Sequence, residues 1–168
     1  MDAALLFVRL VVGLSLAAHG VQKLFGWFGG YGLAGTGGFF ENLGFRPGRT
    51  FAFFAGLGET GGGLLTALGL GGALGPAALV MVMLVAIFAV HIGKGFFITN
   101  GGWELNSAYI AGAVAIAYVG SGAFSLDTML GLTYLRSPQW ASICMAAAVL
   151  LAVLNLLMRR PAPAQSSN

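Results

Sequence analysis

Five long apolar runs divide the chain: Ala3 to Phe25, Thr50 to Leu70, Ala73 to Ile98, Ser107 to Gly122 and Trp140 to Met158. None shows the strict alternation and regular turn spacing of a membrane barrel, so each is expected to be a helix. A bilayer-spanning helix needs about 20 predominantly apolar residues, and the fourth run is short for that. It is expected to extend outward through Trp103 and Glu104 or to sit in a thinned or shielded part of the bundle. Pro76 and Pro138 stand where the third and fifth helices should begin, because the N–H that proline lacks has no intrahelical partner in a first turn. Between the first two runs, Gly26 to Gly38 mixes glycine with Trp27, Phe28 and Tyr31. It is read as a headgroup-zone or re-entrant loop folded against the mouth of a cavity.

Composition fixes the solvent. Of 168 residues 58% are hydrophobic and 8% charged, with a mean hydropathy of +0.88, against roughly 25% charged in a soluble domain. The expectation is an all-α integral membrane protein: a four-helix transmembrane bundle over residues 1–127, an extension with a fifth, outer helix over 128–158, and a polar disordered tail over 159–168. Many of the 28 glycines fall inside the runs, among them Gly13, Gly20, Gly56, Gly58, Gly61, Gly62 and Gly63. Small residues let membrane helices approach closely. The N-terminal run is kept as a span rather than a secretion signal, since Asp2 replaces the early basic residues and Arg9 interrupts the apolar stretch.

The net charge of +3 comes from scattered residues, with only Arg159 and Arg160 adjacent, so no patch could track a nucleic acid. The cations are distributed unevenly between loops. With the N-terminus outside, the cytoplasmic side receives Lys23, Arg46, Arg49, Lys94, Arg159 and Arg160, and the outer side Arg136. The lone Cys144 permits neither an intrachain disulfide nor a CxxC centre, and reads as a packing residue.

Ionisable groups within the spans are the candidates for chemistry, because burying them in a bilayer is costly. His19, Lys23, Glu59, His91, Lys94 and Glu104 all fall in the half of the membrane nearer the first and third loops, since successive helices reverse direction. They are expected to share a polar cavity open to that face. His19 and Lys23 are spaced i,i+4 and His91 and Lys94 i,i+3, so each pair occupies one helical surface. Arg9 starts from the opposite face and comes within roughly 7 Å of Glu59 along the membrane normal, which suggests a buried Arg9–Glu59 ion pair. Two histidines without a further ligand at characteristic spacing argue against a metal or haem centre; hydrogen bonding, proton transfer or contact with a quinone are their other roles.

His19-Gly20, Lys23-Leu24-Phe25-Gly26, Glu59 followed by Gly61-Gly62, Gly95-Phe96-Phe97 through Gly101-Gly102-Trp103-Glu104, and Ser125-Leu126-Asp127 occur in this order. Together they resemble the DoxX family, over roughly Leu5 to Asp127. The resemblance implies a four-helix membrane bundle belonging to an oxidoreductase system. Relatives include membrane subunits of a thiosulfate:quinone oxidoreductase and of a redox complex with superoxide dismutase and a sulfurtransferase. Beyond Asp127 the chain departs from that pattern. Ser125 to Asp127 itself reads as a turn or helix cap at the interface.

Two functional classes are compatible with this pattern. One is a membrane oxidoreductase subunit of the bacterial inner membrane, with a quinone or small sulfur compound in the cavity and a soluble redox partner or a second copy beside it. With no CxxC, haem-attachment or dinucleotide motif in the chain, electrons must reside on a bound diffusible cofactor or a partner. The other is a non-redox bundle that binds or transports a small solute, lipid or proton.

Overall fold

A computed structural model describes residues 1–160; the tail from 161 onward lies outside the described residues. Helix α1 (Asp2–Phe25) ends in a left-handed Gly26, and after a short 3-10 turn at Trp27–Gly29 the chain enters α2 (Gly32–Asn42). Next come α3 (Gly48–Leu68) and α4 (Leu74–Ala86), the latter prolonged by a π turn at Ile87–His91 and a 3-10 turn at Ile92–Lys94. Helix α5 (Glu104–Val119), the single turn α6 (Leu126–Met129) and α7 (Pro138–Leu157) complete it. Pro138 opens α7, and Ser137 caps it by accepting from the Trp140 N–H.

Helices α1, α3, α4 and α5 pack as a closed antiparallel bundle in which α1 lies on α3, α3 on α4, α4 on α5 and α5 back on α1. Among the described residues, four rods are long and apolar enough to cross a membrane: α1, α3, Leu74–Lys94 and α7. Helix α5 has 16 residues, about 24 Å at ~1.5 Å per residue, short of the ~30 Å hydrocarbon core. It begins at Glu104, with a tight loop from Gly95 to Trp103 beside its start.

The α1–α3 seam is built from glycine. A Cβ on Gly13 would lie 2.5 Å from the Gly63 carbonyl oxygen, and one on Gly20 would lie 2.5 Å from that of Gly56. Both pairs are seven residues apart on their helices, close to two turns, so the backbones touch along one continuous stripe. This contact fixes the register: Arg9 stands beside Ala67, and Ala17 stands level with Glu59.

Helix α7 packs on α4 and, less extensively, α5. Its buried seam is Ala141, Cys144, Ala148 and Ala152, all small, while Leu150, Leu151, Val153 and Leu154 face outward. Its far end reaches the opposite face of the bundle from the N-terminus. There the Arg159 Nε donates to Leu43 O at 3.0 Å and the Arg160 N–H to Gly44 O at 2.8 Å.

The stretch read as a loop over Gly26 to Gly38 is largely helical. Glycine disfavours a helix by about 1 kcal/mol per residue relative to alanine, but α2 packs across α3, and here close approach outweighs propensity. A Cβ on Gly37 would lie 2.9 Å from Arg49 Cγ and 3.1 Å from the Arg49 backbone.

Candidate functional site

Glu59 lies midway along α3, 2% exposed, and its Oε2 accepts from the Lys23 ammonium in a salt bridge. Lys23 occupies the last turn of α1, where the exposed carbonyls at the helix end also favour a cation. Three cavities surround this pair. The first, about 210 Å³, is walled by Phe39, Phe40, Phe45, Phe51 and Phe54. The second, about 600 Å³, opens between α1 and α2 past His19, Gln22 and Tyr31. The third, about 260 Å³, opens between α1, α4 and α5 at the exposed His19 and runs past His91, Asn106 and Tyr109. Lys23 lines all three, and Glu59 and His91 line both the aromatic and the histidine cavity. The ion pair borders both the aromatic and the histidine cavity.

Each histidine is held at Nδ1. His91 Nδ1 lies 2.6 Å from the Gly101 carbonyl oxygen, which can only accept, so Nδ1 carries the proton. Gly101 turns that carbonyl inward from a left-handed backbone, φ +76°. His19 Nδ1 is 3.0 Å from Gln22 Oε1, while Gln22 Nε2 donates to Phe28 O at 3.1 Å. That second bond fixes which end of the amide faces the imidazole, so His19 is also protonated at Nδ1. Among the described residues neither Nε2 has a hydrogen-bond partner. Phe28 itself sits at φ +53°, an uncommon conformation for a non-glycine residue.

His19, Lys23, Glu59 and His91 therefore line one cavity; Glu104 and Lys94 do not. Glu104 turns back on its loop, its Oε2 accepting from the Ile98 N–H at 2.9 Å. Lys94 is exposed, with its stem beside Gly101. Sequence reading missed Gln22, Asn106, Tyr109 and the phenylalanine wall. For Gln22 the signal was present, since it follows His19 at i+3 on a helix, whereas the aromatic wall depends on α2.

The expected Arg9–Glu59 pair does not form. In the glycine-set register the two are eight positions apart, roughly 12 Å of rise, and each has another partner. Arg9, 1% exposed, donates to the Ser121 and Phe124 carbonyls, the latter at 2.5 Å, and reaches Ala67 O at the end of α3. Ser121 links it to Asp127: the Ser121 hydroxyl donates to Asp127 Oδ2 at 2.7 Å. Asp127, wholly buried, also accepts from the N–H groups of Gly71 and Gly72 at 2.8 and 2.7 Å. Ser125 caps α6, but Asp127 is a clamp joining the α3–α4 and α5–α6 connections. No group of three or more His, Cys, Asp or Glu that could hold a metal ion occurs among the described residues.

The DoxX family model matches residues 4–92, more than half of the chain. The chain belongs to the DoxX family. This DoxX match includes His19, Lys23, Glu59 and His91 and ends just after the π turn of α4. The Gly95–Glu104 loop and Ser125–Asp127, which also resemble DoxX sequences, lie beyond the matched region, as does α7. No curated protein and no solved structure matches this chain significantly.

Proposed function

We propose that this DoxX-family protein is the quinone-binding membrane subunit of an oxidoreductase in the bacterial inner membrane. The observation that carries the reading is the placement of the neutralised Lys23–Glu59 pair where an aromatic cavity meets a histidine-lined one. Because Glu59 cancels the charge of Lys23, the site presents no free cation to an inorganic sulfur oxyanion, and Lys94 stands outside it. A neutral ligand with a polar ring and an apolar tail fits both halves: its ring lies beside Lys23, His19 and His91, and its tail lies among Phe39, Phe45, Phe51 and Phe54. The volumes, about 210 and 260 Å³ on either side of the pair, suit a ring and part of a tail.

A quinone supplies two-electron, two-proton chemistry, with electrons exchanged with a partner protein. The chain's own part is to bind the ring, shield it from water and exchange protons through imidazole and carboxylate groups. The test is to purify the protein from bacterial membranes, assay its lipid extract for quinone, and titrate the reconstituted protein with decyl-ubiquinone. Near-stoichiometric quinone, or saturable binding weakened by Phe51→Asp, supports the reading. Protein that carries none and binds none overturns it, and leaves the non-redox bundle for a solute, lipid or proton.

A further inference from the structure

We propose that the end of α7 and the α2–α3 connection hold one anionic phospholipid by its headgroup, with the phosphodiester on Arg159 and the glycerol esters at Asn155. This is a second ligand, independent of the quinone reading. Helix α7 has 20 residues, about 30 Å at ~1.5 Å per residue, which is the thickness of a hydrocarbon core. Its last turn therefore reaches the depth of the lipid esters, and Arg159, just past the helix end, reaches the phosphate layer.

Asn155 and Arg159 are four positions apart, on one side of α7, and both meet the α2–α3 connection. Asn155 lines the aromatic cavity together with Leu43 and Phe45. Arg159 Nε donates to Leu43 O at 3.0 Å, and its guanidinium carbon lies 5.6 Å from the centre of the Phe45 ring. Carbonyl and ring hold the guanidinium in place, while its two Nη groups bond nothing among the described residues. An arginine so placed offers paired donors to a phosphate. Asn155 is the only polar side chain in α7 after Cys144, at a level where an amide ordinarily bonds a neighbouring helix. Among the described residues its amide bonds nothing, so it presents a donor to an ester carbonyl.

Charge selects the headgroup. Arg46 and Arg49 are exposed where α2 passes into α3, and Arg160 is exposed beside Arg159. Among the described residues none of these four arginines lies within salt-bridge range of a carboxylate, the one salt bridge being Lys23–Glu59. Glu41, the acid at the end of α2, accepts from the Gly48 N–H at 3.1 Å. Unpaired cations at headgroup depth favour a lipid of net negative charge. Its acyl chains stay in the bilayer, which Phe54, 63% exposed, faces at the outer edge of the aromatic cavity.

The experiment titrates the full-length protein, delipidated in detergent, with dioleoyl-phosphatidylglycerol, dioleoyl-phosphatidylcholine and inorganic phosphate, and counts bound lipid by native mass spectrometry. One phosphatidylglycerol is expected to bind at least about tenfold more tightly than phosphatidylcholine, and Arg159→Gln and Arg46→Gln should each reduce that ratio about fivefold. Asn155→Leu should weaken both lipids alike. Lys94→Gln removes a cation from the same face but outside this edge, and should leave the ratio unchanged. Equal affinities for the two lipids would overturn the proposal. So would a loss with Lys94→Gln as large as with Arg159→Gln, which would show diffuse attraction to a basic face, or displacement of the lipid by inorganic phosphate, which would show a site for a free anion. Arg46 bonds nothing among the described residues, so Arg46→Gln decides the matter even if Arg159→Gln loosens the end of α7. Decyl-ubiquinone binding should survive both arginine variants, and its absence from the wild type would end the quinone reading while leaving this one standing.

Discussion

Lys23 and Glu59 are unequally exposed, their side chains at 26% and 3%, so the fold tolerates losing one better than the other. With Glu59→Gln, the lysine can swing its ammonium toward water along a flexible stem. With Lys23→Met, a carboxylate is stranded within the bundle. Breaking a buried pair typically costs about 3–5 kcal/mol. Lys23→Met is expected at the low end of that range and Glu59→Gln below it, read from unfolding in detergent; equal losses would contradict the asymmetry. Arg9 and Glu59, by contrast, have separate partners. Arg9→Leu and Glu59→Leu should therefore add to within about 0.5 kcal/mol in a double-mutant cycle. The ionisable residues themselves were legible in the sequence, since charges stand out in apolar runs. Their partners were not, because pairing depends on helix register, and register was carried by glycines that could be read as small but not yet aligned.

Helices of this chain divide into those written in hydropathy and those written in contact. The rods of α1, α3, α4 and α7 follow from their apolar runs, and two of their starts from proline. Helix α2 does not, because glycine and aromatic residues read as loop until α3 is present to pack against. The same logic separates glycines of a single run, Gly61-Gly62-Gly63. Gly61 has open space where a Cβ would go, whereas a Cβ on Gly63 would lie 2.7 Å from the Ala17 backbone. Gly61→Ala should be neutral or raise the unfolding temperature, given a helix-propensity gain of up to about 1 kcal/mol. Gly63→Val should lower it by the equivalent of about 1–3 kcal/mol or more, through separation of α1 from α3. Similar effects at both positions would show that the seam is not what joins these helices.

At the scale of the molecule, polar groups gather at two levels: the Arg9–Ser121–Asp127 network near one face and the Lys23–Glu59 site toward the other. The first ties connections together, and the second borders space. Because α7 runs from the first face to the second and ends beside Leu43 and Gly44, the two ends of the described chain lie at opposite faces of the bundle. In a Cys144→Ser background, Ala3→Cys and Arg160→Cys should react with a membrane-impermeant maleimide from opposite sides of oriented vesicles. Labelling from the same side would mean that α7 does not cross. That a further apolar helix follows the bundle was legible from its run of apolar residues; that its Asn155 would line the aromatic cavity and its end fasten to the α2–α3 connection was not, since backbone carbonyls leave no mark in a sequence.

The π turn at Ile87–His91 carries an implication for how this site tolerates changes in length. A π turn is an α-turn holding one residue more, and it absorbs that residue without rotating the helix beyond it. Relaxed to α geometry at constant length, it would turn His91 through about 100°, one residue's worth of helix, away from Gly101. Shortened by one residue, it could become an ordinary helix with His91 still facing the cavity. Deleting Ala89 should accordingly be borne better than deleting Leu57 from α3, as judged by expression and unfolding temperature, because the chain at Ala89 already holds a residue in reserve.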